Sequence, residues 1–436
     1  MTIRLCCAVF AASLLCSCAA PSRIEQPGRD AVLAAKQRID RILAKNVVPF
    51  WFPGVLDTEH GGYKLNHAVT GAYLGPADKH LVTQARTVWF FARLSRSAYG
   101  TKAHLDAATH GYKFLRDRMW DDEFGGFYWA VDATGAHARL TDKHLYGQSF
   151  GLYALSEYYL ASKDPEAKAL AAKLAELIET HAYDHTFGGY LETFAPDWTP
   201  RTSGPNYLGV ATGLKLMNTH LHLLEALTAY YAATKDPLAR ERLQELVLIQ
   251  SSTVVRDGLG ACTDKFERDW LPLTGPEYDR VSYGHDIENV WLLIAARNAL
   301  ELSNAPLMRV YGALFTYAHA YGYDGERGGF YDSGPFNAPA DRRQKTWWVQ
   351  AEGMLSALWM YRLTADPEYF ECFRKTLDWI ETRQVDWDGG DWHADILPDG
   401  TPSGAKAGPW KSPYHNGRAL LEASEILEDL LDLIQE

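Results

Sequence analysis

Three histidines recur at matching places along this 436-residue chain. They are His222 in THLHLLEAL, His285 in GHDIENVWLL and His415 in SPYHNGRALL. Trp348 in TWWVQAEG continues the series, with steps of 63, 63 and 67 residues, and Arg86 lies 136 residues before His222. Because imidazole titrates near neutral pH, histidines brought together in one pocket are suited to acid/base chemistry. We therefore expect these five residues to occupy nearly equivalent places around one ring and to form a functional site.

The chemistry best suited to this set is proton transfer beside a carbonyl group. Two facing imidazoles can remove a proton and return it to the opposite face, as inversion of a sugar C2 requires, while Arg86 stabilises the enolate oxygen. A glycosidase needs two carboxylates flanking the bond; Glu288 and Glu352 are present, but histidines lead the series. His285 and Glu288 share a helical face and could bind a metal, but the motif occurs once, so we predict no metal.

Polar and aromatic neighbours extend the candidate site. Asn218 lies four residues before His222 and shares its helical face, whereas His220 lies about 200° away around the helix. A helix N-terminus disfavours a cation, so we expect the imidazoles to stay neutral and able to act as bases. Flat rings that can stack on pyranose rings are supplied by Trp347, Trp348 and Trp410.

A Gly-Gly turn flanked by acidic and aromatic residues repeats along the chain. Examples are DTEHGGYKL, DDEFGGFYW and YDGERGGFYD, and a degenerate copy, RDGLGACTD, begins at Arg256. Glycine supplies positive φ angles, so each copy predicts a short β-hairpin. With the degenerate copy there are six units of about 65 residues. The first glycines of the clear pairs are Gly61, Gly125, Gly188, Gly328 and Gly389.

Each unit also contains two helical segments. The motifs SKDP, TKDP and TADP end one helix and place proline in the first turn of the next. GLYALSEYYLAS is apolar nearly all round, as inner helices are, while EAKALAAKLAELIETHAY has one charged face. The chain begins with an outer-type helix at residues 31–45 and ends with an inner-type helix at residues 413–434. The sequence therefore predicts an all-α fold over residues 31–436: one (α/α)6 barrel of six inner and six outer helices with short β-hairpins.

The first 30 residues have the pattern of an export signal and a tether. Arg4 precedes the apolar run LCCAVFAASLLCSCAA, which is too short to span a membrane. Small Ser17 stands directly before Cys18, so we predict a lipoprotein signal peptide over residues 1–17, lipidation of Cys18 and a tether over residues 18–30. Cleavage after Ala20, giving an unanchored periplasmic protein, is the alternative. We expect a periplasmic protein held to the membrane by its lipid alone.

Charge and cysteine content narrow the partners. The formal charge of −12 argues against nucleic-acid binding. Outside the leader only Cys262 and Cys372 remain, and an oxidising compartment permits but does not require a disulfide between them. We expect an oligosaccharide as the partner, and a monomer or weak dimer.

Five segments together resemble the N-acylglucosamine 2-epimerase superfamily: QARTVWFFARL, NTHLHLLEAL, GHDIENVWLL, KTWWVQAEG and PYHNGRALLE. The resemblance extends over residues 79–436 and is strongest to the cellobiose 2-epimerase branch. It implies reversible 2-epimerisation of the reducing-end glucose or mannose of a β-1,4-linked disaccharide. Ring opening and an enediolate would carry the reaction, without a cofactor.

The resemblance also implies roles for individual residues. His285 and His415 would be the acid/base pair that opens the ring and moves the C2 proton, with support from Glu288. The groups around O1 and O2 would be Arg86, Asn218 and His222. The sugar subsites would be shaped by Trp347, Trp348, Glu352, Trp410 and Tyr146.

Three other functions stay open at this stage. They are an aldose–ketose isomerase acting on a free monosaccharide, an (α/α)6 glycosidase, and a non-catalytic sugar-binding lipoprotein. The leader departs from the family pattern, since these enzymes are commonly cytoplasmic, and it leaves cellobiose and mannobiose equally plausible as substrates.

Overall fold

The computed structural model describes residues 24–435 except Pro205 and Asp257. The predicted signal peptide over residues 1–17, the lipidation site Cys18 and the first part of the tether lie outside the described residues. The last two tether residues, Arg29 and Asp30, already belong to the first helix. Within the described range, no helix is long and apolar enough to cross a membrane.

Thirteen α-helices dominate the described part of the chain. Their bounds are α1 (Arg29–Ile42), α2 (Val48–Trp51), α3 (Leu81–Ser95), α4 (Lys102–Phe114), α5 (Leu145–Ser162), α6 (Pro165–Ala182), α7 (Met217–Thr234), α8 (Pro237–Leu248), α9 (Tyr283–Ala299), α10 (Met308–Gly322), α11 (Trp347–Thr364), α12 (Pro367–Trp379) and α13 (Tyr414–Gln435). Outer helices α1, α4, α8 and α12 continue into π-helical turns: Leu43–Val47, Leu115–Met119, Ile249–Thr253 and Ile380–Gln384.

The helices form a closed double ring. The inner helices are α3, α5, α7, α9, α11 and α13, and each packs on the next in chain order. Helix α13 also packs on α3, which closes the inner ring, and α1 packs on α13 from outside. The predicted (α/α)6 barrel is confirmed.

The D-P motifs connect an inner helix to the next outer helix, as predicted. Helices α5, α7 and α11 are each followed by one residue in the left-handed region: Lys163, Lys235 and Ala365. The aspartate that comes next caps the outer helix by accepting a backbone N–H, and proline takes the first helical position. The capping residues are Asp164, Asp236 and Asp366.

Short strands tie each unit to the next around the mouth of the barrel. They are β1 (Lys79–His80), β2 (Ala130–Val131), β3 (Ala138–Leu140), β4 (Lys143–His144), β5 (Thr193–Phe194), β6 (Lys215–Leu216), β7 (Lys265–Phe266), β8 (Arg280–Ser282), β9 (Ser333–Pro335), β10 (Lys345–Thr346), β11 (Asp395–Ile396) and β12 (Pro402–Ser403). The antiparallel pairs are β1–β2, β4–β5, β6–β7, β8–β9 and β10–β11, with β3 beside β2 and β12 beside β11.

An antiparallel bridge closes every Gly-Gly turn. The six bridges in the described chain are Leu56–Tyr63, Trp120–Phe127, Tyr183–Tyr190, Val255–Cys262, Tyr323–Phe330 and Val385–Trp392. The fourth belongs to the degenerate copy, so six ribbons are present as predicted. The sixth is displaced by one residue from the expected register, because Gly390 and Asp391, not Gly389, adopt positive φ angles of 74° and 54°.

A buried lysine holds the turn in five of the described units. In DDEFGGFYW, Lys143 Nζ lies 2.6 Å from Asp121 Oδ2, and both side chains are buried. Asp121 Oδ1 also accepts the backbone N–H groups of Glu123 and Phe124. The acidic residue of this motif is therefore structural. The corresponding pairs are Asp57–Lys79, Asp184–Lys215, Asp324–Lys345 and Asp386–Lys406.

The two cysteines in the described chain, Cys262 and Cys372, are both buried and free. The permitted disulfide between them is not formed.

Candidate active site

The amino-terminal ends of the inner helices surround a cavity of about 290 Å³. Ten of the eleven predicted pocket residues line it. Glu352 is the exception: it is buried beneath the cavity, with Oε1 2.7 Å from His415 Nδ1. The lining residues are Arg86, Tyr146, Leu208, Asn218, His222, His285, Glu288, Trp347, Trp348, Trp410 and His415.

One side chain on each inner helix bonds to an adjacent Gly-Gly turn and fixes the register of that helix. For example, Gln148 Oε1 accepts the backbone N–H of Phe127 at 2.9 Å, and Gln148 Nε2 donates to the carbonyl of Phe127 at 2.8 Å. His220 serves this purpose on α7 through Nε2 and points away from the cavity. The anchoring residues are Gln84, Gln148, His220, Asp286, Gln350 and Asn416.

Against these anchors, the predicted equivalence of the five ring residues is wrong. His285 and His415 each precede their anchor by one residue and are true equivalents. Arg86 and His222 follow theirs by two residues, almost one helical turn deeper, and Trp348 precedes its anchor by two. Anchor-to-anchor spacing varies from 64 to 72 residues with loop length, so a constant step of 63 does not follow the structural repeat.

The guanidinium of Arg418 lies beneath the cavity among three buried carboxylates. Its Nη2 donates to Glu288 Oε1 at 2.9 Å and to Glu352 Oε1 at 2.8 Å. Its Nη1 bonds to Glu225 and to the Tyr414 hydroxyl. Three acidic groups therefore share one permanent positive charge.

Two histidines bond to these carboxylates through Nδ1. His415 Nδ1 lies 2.7 Å from Glu352 Oε1, and His222 Nδ1 lies 3.1 Å from Glu225 Oε2. Because a carboxylate accepts the hydrogen bond, Nδ1 carries the proton in each ring and Nε2 keeps a lone pair for proton transfer.

His285 is held differently. Its ring packs on Trp348 with ring centroids 4.7 Å apart, and Trp348 in turn lies 5.6 Å from the His415 ring. Among the described residues His285 makes no side-chain hydrogen bond. The two equivalent histidines thus flank one tryptophan at the cavity wall.

Burial keeps the cavity histidines neutral at pH 7. It lowers the pKa of His222 to about 4, although Glu225 opposes this shift. Burial, and then the nearby guanidinium groups, lower the pKa of His415 well below its usual value. Burial also lowers the pKa of His285. The expected neutrality therefore follows first from burial and not from the helix N-termini.

The three carboxylates differ in their proton affinity. Burial raises the pKa of Glu288 well above its usual value, and the charge of Glu352 adds to the effect. Burial also raises the pKa of Glu352, against the opposing effect of Arg418. For Glu225 burial acts in the same direction, but Arg418 and its hydrogen-bond partners outweigh it and hold the pKa at about 2. Glu225 is therefore ionised at pH 7.

Polar atoms around the cavity are available to a ligand with many hydroxyl groups. Arg86 donates to the Tyr146 hydroxyl at 3.0 Å and to the Trp410 carbonyl at 3.2 Å, and the Trp410 residue is 43% exposed at the rim. Buried polar atoms on cavity residues that have no hydrogen-bond partner in the described chain are Arg86 Nε, Asn218 Oδ1, Glu288 Oε2 and Trp347 Nε1.

Glu288, Glu352 and His415 also present three ligand atoms within 4.8 Å of one another. Carboxylate oxygen and imidazole nitrogen are ligands that divalent zinc accepts. Here Arg418 Nη2 lies against the same two carboxylate oxygens and supplies positive charge at that position. The absence of a metal stays a prediction.

Several residues of the site were not found from the sequence: Leu208, Glu225, Trp291 and Tyr414. Trp291 Nε1 donates to Glu352 Oε2 at 2.7 Å. Glu225 follows His222 by three residues, the spacing that drew attention to Glu288 after His285, so the same rule could have found it. Leu208 lies in the long connection between β5 and β6, whose course no periodicity signals.

The fold and the site define an (α/α)6-barrel enzyme with a pocket for acid/base chemistry on a polyhydroxylated ligand. The family model described as N-acylglucosamine 2-epimerase (GlcNAc 2-epimerase) matches residues 61–419. The chain belongs to this family and is a carbohydrate epimerase or isomerase.

Individual relatives agree with this assignment. The chain is 30% identical to cellobiose 2-epimerase of Bacteroides fragilis, over 89% of this chain and 98% of that protein. Its fold matches the structure of cellobiose 2-epimerase from Bacillus thermoamylovorans with a TM-score of 0.83 and 30% identity, covering 90% of this chain and 99% of that one. D-mannose isomerase of Marinomonas mediterranea is 26% identical over 92% of this chain and 99% of that protein.

Proposed function

We propose that this protein interconverts glucose and mannose at the reducing end of β-1,4-linked disaccharides such as cellobiose and mannobiose. The observation that carries the proposal is the placement of His285 and His415 at equivalent positions on either side of Trp348. The relatives that are cellobiose 2-epimerases support the disaccharide as the substrate class.

The two flanking histidines are suited to exchange the C2 proton of an open-chain aldose. One neutral imidazole removes the proton to give an enediolate, and the other returns a proton to the opposite face, which inverts C2. When His415 gains a proton at Nε2, Glu352 beside Nδ1 balances the new charge. Arg86 is placed in the same cavity to stabilise the oxyanion.

The remaining cavity residues are proposed to hold the sugar. Asn218, His222 and Tyr146 would bind the oxygens at C1 and C2 beside Arg86. Trp347 and Trp348 would contact the reacting ring, and the exposed ring of Trp410 would stack on the second sugar.

The carboxylates do not favour a glycosidase. Glu288 and Glu352 both bond to the same nitrogen of Arg418, which draws them together beneath the histidines. A glycosidase requires its two carboxyl groups on either side of the scissile bond.

The proposal is tested by incubating the purified protein with cellobiose, β-1,4-mannobiose and mannose, and reading the products by NMR. Each disaccharide should give its C2 epimer, with deuterium at C2 when the solvent is D₂O. Ketose formed from mannose alone would instead identify a monosaccharide isomerase, and free monosaccharide released from a disaccharide would identify a glycosidase. Unchanged sugars would leave a binding protein.

His285→Ala and His415→Ala should each lower kcat by at least ~10²-fold, the usual scale for a lost general acid/base. His185→Ala, a histidine exposed outside the cavity, is the matched control and should keep the wild-type rate. A near-normal rate in either cavity variant would contradict the assignment of the pair.

We also propose that the protein is periplasmic and anchored by a lipid on Cys18, on the strength of the LCSC motif. Gln26 donates to the carbonyl of Ala365, which follows the last residue of α11, whereas Trp347 and Trp348 at the start of α11 line the cavity. An anchor ahead of residue 24 would therefore lie toward the end of the barrel opposite the cavity. The full-length protein should partition into detergent, and Cys18→Ala should remain in the aqueous phase.

A further inference from the structure

The pair formed by His222 and Glu225 has no role in the C2 exchange described above. It closely matches the pair of His415 and Glu352. Each imidazole bonds through Nδ1 to a buried carboxylate, and each leaves Nε2 without a hydrogen-bond partner among the residues described. The cavity therefore holds two imidazoles equipped with a counter-charge for proton uptake, and C2 exchange uses one of them.

His222 has the surroundings needed where a carbon–oxygen bond breaks. It lies almost one turn deeper than His415, at the position on α7 that Arg86 occupies on α3. The Tyr146 ring packs edge-on against His222 with centroids 5.1 Å apart, and the Tyr146 hydroxyl accepts from Arg86. A guanidinium near an imidazole can stabilise an oxyanion while the imidazole carries the proton.

Glu225 makes the protonated form of His222 accessible. Its carboxylate is buried, bonds to the guanidinium of Arg418 and accepts the Tyr414 hydroxyl. A buried anion held in place next to Nδ1 compensates the charge that the imidazole gains. His285, which has no such partner among the described residues, lacks this compensation.

We infer that His222 is the acid/base that opens and closes the sugar ring and that Glu225 is its positioning residue; the inference rests on the proposed function. His222 Nε2 takes the proton from O1–H of the cyclic hemiacetal. The C1–O5 bond breaks as the C1=O1 double bond forms, and the imidazolium returns the same proton to O5. One proton moves from O1 to O5, and no other reactant is consumed. His285 and His415 then act at C2.

A deuterium label at C2 separates the two steps. The isotope effect on kcat is compared between protonated and C2-deuterated disaccharide, using whichever sugar the wild-type protein epimerises. His222→Gln should lower kcat by at least ~10²-fold with an isotope effect near unity, because ring opening then limits turnover. His415→Ala slows the C2 step itself and should show a larger isotope effect.

Glu225→Gln provides a second, nearly isosteric variant in case His222→Gln does not fold. It should also lower kcat with an isotope effect near unity, and Glu225→Asp, which retains the charge, should recover part of the rate. An isotope effect in His222→Gln or Glu225→Gln as large as that of His415→Ala would overturn the inference. A wild-type protein that leaves C2 unchanged would refute the proposed function instead, so the two failures are distinguishable.

Discussion

Replacing Arg418 with methionine should destabilise the barrel strongly, because three buried carboxylates share its guanidinium. The side chain is 1% exposed, and its ionic partners Glu225, Glu288 and Glu352 come from three other inner helices. Methionine retains much of the apolar length of the side chain, so the effect of the change is mainly electrostatic.

The pKa of Glu225 sets the scale of the effect. It lies at about 2 in the folded protein against an ordinary value of 4.5. This difference corresponds to roughly 3 kcal/mol of stability at neutral pH. Removing one partner of a buried ion pair typically costs about 3–5 kcal/mol. We therefore expect the free energy of unfolding of Arg418→Met to fall by about 3–5 kcal/mol at pH 7.

The loss should also depend on pH. In the wild-type protein the lowered pKa of Glu225 stabilises the fold above pH 4.5, and this contribution is lost as pH falls towards 2. Without Arg418, burial should raise the pKa of the three carboxyl groups, so the variant loses further stability as pH rises through the raised values. The difference between the two proteins should therefore be smaller at about pH 5 than at neutral pH.

Urea unfolding followed by circular dichroism at both pH values measures these differences. Arg374→Met is the matched control, because Arg374 pairs with Glu371 and Asp378 on the exposed face of α12. Its loss should stay below about 1 kcal/mol. Equal losses for the two variants, or a loss for Arg418→Met that does not shrink at low pH, would refute the reasoning.

Three further predictions concern stability. Glu288→Gln should raise the free energy of unfolding at pH 7 while it lowers epimerisation, because the raised pKa of Glu288 shows that its buried charge is unfavourable; urea unfolding and the NMR assay measure the two effects, and lower stability would contradict this. Lys143→Met should cost about 3–5 kcal/mol by leaving Asp121 unpaired, and adding Asp121→Asn should restore part of the loss in a double-mutant cycle. Gly126→Ala should lower Tm, since at φ 74° its Cβ would lie 2.6 Å from the Trp198 ring; an unchanged Tm would contradict that clash.

Most of the fold was predictable because its signals are local. The D-P motifs and Gly-Gly turns each require a particular backbone conformation, so they marked the units even where one copy is degenerate. The sixth turn was placed one residue early because Asp391 takes the place of the second glycine, in a left-handed conformation that aspartate tolerates. The lysine–aspartate pairs escaped notice because their partners lie 20–31 residues apart, outside any helical or strand period.

The candidate site was predictable as a set of residues, but its geometry was not. Side chains in the first turns of the inner helices converge on one cavity whatever their register. The relative depth of His222 and His285 depends on loop lengths, which have no periodicity. The place of Arg418 among carboxylates from α7, α9 and α11 depends on how distant helices pack, which no local pattern encodes.

Arg418 links the chemistry of this barrel to its stability. Two of its three carboxylates also accept a hydrogen bond from a cavity histidine at Nδ1, which fixes the tautomer and leaves Nε2 for proton transfer. A guanidinium balances these carboxylates without occupying a ring nitrogen, whereas a metal bound by the same set would take one. The third carboxylate, Glu288, has one oxygen without a partner in the described chain and lines the cavity. A neutral residue there should gain stability at the expense of turnover, which is the trade-off expected where a buried charge is retained for function.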